Sequence, residues 1–153
     1  MQVFCRLLRD LAAGRSHRAR AAFLHIARHA SRTFSTAFFA SHLLPACIMA
    51  ASDPVPNVRI HVPPLLAAMK RCVKLPDGLD DLERLNTAVS ALLTDADRDV
   101  CDAARAAHSQ FKAVPVRLSG LGLLDSSAAS HACAPTLLPS ARSLAECFRR
   151  SCH

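Results

Sequence analysis

The stretch Asp53-Pro54-Val55-Pro56-Asn57-Val58-Arg59 decides the fold predicted for this chain. Two prolines this close together cannot both lie inside one α-helix, because each removes an amide donor and clashes with the preceding turn. Proline is common just after one helix ends and just inside the start of the next. The stretch therefore predicts a tight turn between two antiparallel helices, with Asp53 near the hinge and Asn57 as the N-cap of the second helix.

Apolar segments flank this turn on both sides. Before it, the residues from Thr33 to Ser52 carry no formal charge. After it comes a stripe of apolar residues at helical spacing: Val58, Val62, Leu65, Leu66, Met69 and Val73. This spacing indicates a helix with one buried face. Pro63 and Pro64 interrupt that helix, so it either kinks there or is split with a new start at Pro63, and the split keeps the later apolar residues on one face.

The turn has a second copy and a fainter third one. Asp95-Ala96-Asp97-Arg98-Asp99-Val100 begins 42 residues after Asp53 and again places an aspartate five positions before a valine. Apolar residues at helical spacing precede and follow it: Leu79, Leu82, Leu85, Val89, Leu92 and Leu93, then Val100, Ala104, Ala107 and Phe111. Upstream, Arg20 opens another such helix, 39 residues before Arg59. Two helices per period of about 40 residues are typical of HEAT arrays.

The predicted fold is therefore all-α, a HEAT/armadillo-like α-α superhelix of about three helical hairpins. The composition agrees, with four Gly, no Trp, no Tyr and no strand-like alternation of useful length. We place this array at residues 1–112. Residues 113–153 contain three prolines and a serine-rich middle without a sustained period, and are predicted to be a flexible, low-order tail.

Three segments resemble a known family. They are the turn Asp53–Arg59, the approach Phe38-Phe39…Leu43-Leu44-Pro45, and Lys70…Lys74-Leu75-Pro76 after it. Together they resemble the C-terminal HEAT repeats of the regulatory subunit 4 family of protein phosphatase 4, and more distantly the scaffold subunit of protein phosphatase 2A. The resemblance covers roughly residues 16–112. Pro63-Pro64 departs from it, because the family has an uninterrupted second helix there.

The resemblance implies a non-catalytic scaffold that binds a serine/threonine phosphatase catalytic subunit or its associated proteins. In such scaffolds the turns between the two helices of each repeat hold the partner. The residues expected to contact a partner are therefore those of the two turns: Asp53, Val55, Asn57, Arg59, Asp95, Asp97 and Arg98.

The same turns predict a ladder of ion pairs. The aspartate of a turn and the arginine that opens the second helix of a neighbouring repeat can pair, and Arg20, Asp53, Arg59 and Asp95 are the candidates. As exposed pairs, each would contribute at most about 1 kcal/mol. They would then set the register of the repeats more than their stability.

Catalytic and metal-binding motifs are missing from the sequence. It contains no Gly-x-Ser-x-Gly, His-Glu-x-x-His, P-loop or dinucleotide fingerprint, so we predict no enzyme activity and no cofactor. His25 and His29 share a helix face but lack an acidic partner. Asp95, Asp97 and Asp99 resemble the start of a calcium loop without its glycine and closing glutamate, which favours turn and cap roles. The tail groups His131, Cys133, Cys147, Cys152 and His153 match no zinc framework.

The charge of +7 lies mostly in the first third of the chain. Residues 1–52 contain seven Arg and one Asp, residues 53–112 balance eight basic against nine acidic residues, and residues 113–153 hold four basic and two acidic residues. A basic helical protein that binds nucleic acid is therefore the alternative function. Aromatic platforms beside the arginines are missing, which makes nucleic acid the weaker expectation.

Targeting and location remain as further expectations. Residues 1–35 are Arg-rich, acid-poor and amphipathic, like a mitochondrial transit peptide, although they keep the register of the downstream repeats. The uncharged segment Thr33–Ser52 is long enough to cross a bilayer, but its Pro, His, Ser and Thr favour a buried repeat helix that starts near Ser41. Seven cysteines without a Cys-x-x-Cys pair favour a reducing compartment, the cytoplasm or possibly the nucleus.

Overall fold

In a computed structural model, the chain is described over residues 2–118, and these are mostly helical. The helices are α1 Gln2–Ala12, α2 His17–Thr33, α3 Thr36–His42, α4 Leu44–Ala50, α5 Pro56–Arg59, α6 Leu66–Cys72, α7 Leu79–Leu93 and α8 Arg98–Ala113. A 3₁₀ turn, Pro63–Leu65, precedes α6. Two strands of two residues each, β1 Lys74–Leu75 and β2 Arg117–Leu118, pair in parallel. The predicted helical class is confirmed.

The helices surround one continuous apolar core. α1 packs on α2, α7 packs on α8, and α8 also packs on the 3₁₀ turn and α6. α3 and α4 cover the other side, through contacts to α6 and α7 respectively. The largest fully buried side chains come from these elements and the loops between them: Leu8, Phe23, Leu24, Phe39, Leu43, Leu44, Val58, Leu65, Leu66, Met69, Leu85 and Leu92. Every helix listed here thus contributes to the core or borders it.

The uncharged segment Thr33–Ser52 forms two short helices rather than the single helix predicted to start near Ser41. Ser35 begins the first of them, since its side chain accepts a hydrogen bond from the amide of Phe38 at 3.2 Å. Leu43 then departs from helical geometry, with ψ of −38° at φ of −120°, and Pro45 lies in the first turn of α4. Within residues 2–118, no helix is long and apolar enough to cross a membrane.

The two prolines at 63 and 64 split the segment that follows the first turn. α5 ends at Arg59, and the chain resumes as the 3₁₀ turn Pro63–Leu65, which leads into α6. Pro63 is buried and Pro64 is exposed. Because the break falls between helices, the lost amide donors cost no internal helical hydrogen bonds. The predicted split is confirmed, and Leu66 and Met69 of α6 remain fully buried.

Residues just beyond the predicted array also belong to this unit. α8 ends at Ala113, and β2 then lies beside β1, with Lys74 opposite Arg117 and Leu75 opposite Leu118. Val116 packs against the core. Most of the predicted tail, residues 119–153, lies outside the described residues, so its low order stays a prediction.

Candidate interaction site at the helix turns

The first turn is organised by Asp53. Its Oδ1 atom accepts a hydrogen bond from the amide of Val55 at 2.9 Å, which closes the chain back on itself. Val55 is the residue before α5, and Pro56 occupies the first helical position, where its fixed φ suits the helix and its missing amide is not needed. Asn57 lies inside α5 and is exposed, so the prediction that it caps the helix is wrong.

The second turn repeats the aspartate but adds a side-chain cap. Oδ1 of Asp95 accepts from the amide of Asp97 at 2.9 Å, as Asp53 does from Val55. Asp97 is the N-cap of α8, and its own Oδ1 accepts from the amides of Asp99 and Val100 at 3.1 and 3.2 Å. The predicted turn and cap roles of these acids are confirmed.

Two arginine–aspartate pairs join consecutive turns, and they are the pairs that the sequence predicts. The Nε and Nη2 atoms of Arg20 donate to the two carboxylate oxygens of Asp53 at 2.5 and 3.0 Å. The same atoms of Arg59 donate to the carboxylate of Asp95 at 2.7 and 2.8 Å. Both pairs are therefore bidentate, the geometry in which arginine binds a carboxylate most strongly.

Each arginine also ties its carboxylate to the turn before it. Nη1 of Arg59 donates to the carbonyl of Asp53 at 2.7 Å, and Nη1 of Arg20 donates to the carbonyl of Gly14 at 2.9 Å. Both bonds reach back six residues, so Gly14 and Asp53 occupy equivalent positions. We call the two arginines and two aspartates, Arg20, Asp53, Arg59 and Asp95, the ladder.

The ladder stops at both ends within the described residues. Gly14 stands where the first turn has Asp53, so it offers no carboxylate to an arginine. Cys101 stands six residues after Asp95, where an arginine would continue the series, and its Sγ donates to the carbonyl of Leu93 at 2.9 Å. The ladder of residues 2–118 thus has two rungs.

The ladder is mostly buried, which corrects the expectation of exposed pairs. The side chains of Asp53 and Asp95 are 7% and 8% exposed, and those of Arg20 and Arg59 are 19% and 15% exposed. Hydrogen bonds from its arginine hold the pKa of each aspartate below the ordinary value, against the opposing effect of burial. Removing one partner would leave a largely buried charge uncompensated, so these pairs matter more to stability than surface pairs do.

The predicted contact residues therefore divide into two groups. Asp53, Arg59 and Asp95 point into the ladder and have little surface to offer a partner. Val55 and Asp97 are half-buried, while Asn57 and Arg98 are exposed. Nε of Arg98 lies 3.7 Å from a carboxylate oxygen of Asp102, but its side chain is 92% exposed, so it stays available.

A contact between two histidines adds a feature that the sequence does not predict. The rings of His25, on α2, and His61, just after α5, lie 4.4 Å apart between centroids. Burial lowers the pKa of both rings, and the charge of Arg28 lowers them further. The pairing predicted from spacing was His25 with His29, but His29 is exposed, and His61 is too distant in sequence for any periodic pattern to indicate it.

Metal and thiol chemistry has little basis in the described residues. No three His, Cys, Asp or Glu side chains come together there as metal ligands. Cys5, Cys47, Cys72 and Cys101 are free thiols, and Cys47 and Cys101 occupy buried helix positions as predicted. Burial raises the pKa of Cys47, which makes it a poor nucleophile. The candidate zinc ligands from His131 to His153 lie outside the described residues.

Two curated relatives match the chain. They are the proteins named serine/threonine-protein phosphatase 4 regulatory subunit 4 in Mus musculus and in Homo sapiens, each 32% identical over 100 residues. The alignments cover 65% of this chain, but only 11% of the mouse protein and 12% of the human protein. The chain thus corresponds to about a tenth of those relatives, and the relationship is distant. No family model matches the sequence, and no solved structure matches it.

Proposed function

We propose that residues 1–112 form a HEAT-like array of about three hairpins that acts as a non-catalytic, protein-binding scaffold. The ladder carries this proposal, because it links equivalent turns that are 39 to 42 residues apart in sequence, as Arg20, Arg59, Asp53 and Asp95 show. Repeats near this length stack in solenoids by burying one hairpin's apolar face against the next. Such arrays present extended surfaces suited to partners rather than enclosed catalytic pockets.

The partner we propose is the catalytic subunit of a serine/threonine phosphatase of the phosphatase 4 type, or a protein associated with it. Support comes from the two relatives, whose names describe regulatory subunits of that phosphatase. The chain would then act as a regulatory subunit, in the cytoplasm and possibly also in the nucleus. It would need no cofactor, small-molecule substrate or membrane.

The contact surface we propose is the exposed edge of the two turns. Since Asp53, Arg59 and Asp95 serve the ladder, they would shape this edge from within rather than touch the partner. Asn57 and Arg98 lie on the surface of the two turns and would make the direct contacts. Val55 and Asp97, half-buried beside them, would complete the edge.

A binding assay with purified proteins tests this function. The full chain, biotinylated at its C-terminus and immobilised, is exposed to the purified catalytic subunits of phosphatases 4 and 2A. We expect saturable binding, stronger for phosphatase 4. The double variant N57K/R98E should weaken it by about tenfold, since it changes charge at both turns.

The matched control carries the same charge changes away from the turns. T87K/R105E alters exposed residues of α7 and α8 and should bind within about twofold of the unmodified chain. Circular dichroism confirms that both variants keep their helices. No binding beyond that of an unrelated protein of equal net charge would overturn the phosphatase proposal. Equal losses in the two double variants would overturn the turn edge as the contact surface.

A further inference from the structure

A basic groove lies between α1 and α3, apart from the ladder and the turns. It has a volume of about 700 Å³ and is half open to solvent. The residues that line it come from the first half of α1 and the end of α3: Gln2, Val3, Cys5, Arg6, Arg9, Ser41 and His42. We propose that this groove binds an acidic peptide segment of a partner protein.

The charges of the groove have no internal counter-charge. Arg6 and Arg9 are exposed, and neither forms an ion pair within residues 2–118. The lining contains no acidic residue, and Asp10 is the only acid among the first 52 residues of the chain. By contrast, Arg20 is consumed by Asp53. Two unpaired guanidinium groups one helical turn apart can each bind a carboxylate with two hydrogen bonds.

The remaining lining suits a peptide rather than a lone anion. The hydroxyl of Ser41 and the amide of Gln2 can hydrogen-bond to a peptide backbone. Val3 is 83% exposed and Leu7, one turn further along α1, is 50% exposed. These side chains offer an apolar wall beside the arginines, so a segment with carboxylates and one apolar residue would match both.

The aromatic residues nearby favour a peptide over a nucleic acid. The Phe4 ring packs on Phe34 and Phe38, with centroids 5.8 and 6.5 Å away, and the His42 ring lies 4.8 Å from Phe38. These rings contact each other and are not free to stack on bases. Since proteins bind single-stranded nucleic acids largely by such stacking, the groove lacks that component. Its charge and its apolar wall remain.

This inference does not depend on the phosphatase. The groove residues differ from those of the turn edge, so either surface can fail its test while the other passes. If both hold, the chain would bind two partners or two parts of one partner.

Fluorescence anisotropy with a labelled synthetic peptide tests the groove. The probe is about twelve residues long, rich in Asp and Glu, and contains one Leu. We expect the full chain to bind it saturably, with an affinity that falls as salt is added. The variant R6Q/R9Q should lose at least about tenfold in affinity. S41E, which places a carboxylate in the groove, should weaken binding in the same direction through repulsion.

The control variant R28Q/R32Q removes the same charge from exposed positions of α2 outside the groove. It should bind the peptide within about twofold of the unmodified chain. Equal losses in R6Q/R9Q and R28Q/R32Q would show diffuse attraction and overturn the groove as a site. Tighter binding of a single-stranded oligonucleotide with the same number of charges would overturn the acidic peptide as its ligand. Unchanged circular dichroism spectra establish that each variant is folded.

Discussion

The turns at residues 53–59 and 95–101 hold an aspartate in the same place with different chemistry around it. In both, the carboxylate accepts the amide two residues on and a bidentate arginine from the preceding repeat. The helix that follows begins with Pro56 in the first turn and with the Asp97 side-chain cap in the second. The ladder contact is thus kept in both turns, while the helix start is achieved by two interchangeable devices.

The segments after the two turns differ more. α8 runs unbroken for 16 residues, whereas α5 ends after four and a 3₁₀ turn separates it from α6. His61 lies in this break, against His25, and the corresponding position after the second turn, 42 residues on, is Ala103. The first turn therefore combines a rung of the ladder with a contact that titrates, and the second turn has only the rung.

The largest expected effect comes from breaking a rung. Asp95→Ala removes a carboxylate that is 8% exposed and leaves Arg59 without its partner. We expect it to lower the free energy of unfolding by on the order of 2–3 kcal/mol, measured by urea denaturation of the full chain. Asp53→Ala should cost at least as much, because the Asp53 region receives both arginines.

Asp102→Ala is the control for the rungs. Its carboxylate is 55% exposed and its pairs with Arg98 and Arg105 are 3.7 and 3.3 Å long, so the change should stay within about 0.5 kcal/mol. Losses below about 0.5 kcal/mol for both rung variants would mean that the ladder is no more stabilising than a surface pair.

A smaller effect distinguishes the two helix starts. Asp97→Ala removes the side-chain cap of α8 and should destabilise the protein by about 1 kcal/mol. Asn57→Ala, at the position where the sequence predicted a cap, should change stability by less than about 0.5 kcal/mol, since Asn57 is exposed and lies inside α5. A comparable loss in both variants, by the same urea method, would restore Asn57 as a capping residue.

The smallest effect is a pH dependence confined to the first turn. The pKa values of His25 and His61 in the folded protein lie below the ordinary 6.5, so the unfolded chain binds protons more readily than the folded one. Stability should therefore be greatest above pH 6.5 and fall as the pH drops through the lowered values. Urea midpoints measured over that range should show the decline, with His61→Gln reducing it.

His29→Gln serves as the control for the histidine pair, since His29 is exposed on the same helix as His25. It should leave the pH profile unchanged. The aspartates of the ladder cannot mimic this effect, because their pKa values are lowered from an ordinary 3.8 and their contribution is lost only in more acidic solution. A profile that His61→Gln does not alter would show that the histidine pair contributes nothing.

Much of the site was predictable because repetition marks it. The spacing of Asp53 and Asp95, and of Arg20 and Arg59, predicted which residues pair across neighbouring turns, and the contacts confirm it. The break at Pro63 was predictable as well, since proline restricts the backbone wherever it occurs. Both inferences rest on local rules that operate within a few residues or recur at a fixed period.

Other features had no such signal. The burial of the ladder depends on the elements packed around it, and the prediction of exposed pairs failed for that reason. The separate helices α3 and α4, the contact of His61 with His25, and the groove between α1 and α3 each join segments with no common period. A hydrophobic pattern shows that a face is buried, but not which face covers it.

The sequence by itself determined the helical class, the positions of the two turns and the partners within the ladder. These follow from proline stereochemistry, apolar periodicity and the recurrence of opposite charges. Only the tertiary structure decided how deeply the ladder is buried, which device starts each helix, and which arginines stay free at the surface. Those outcomes depend on the packing of distant segments, since burial and pairing are properties of the whole assembled core.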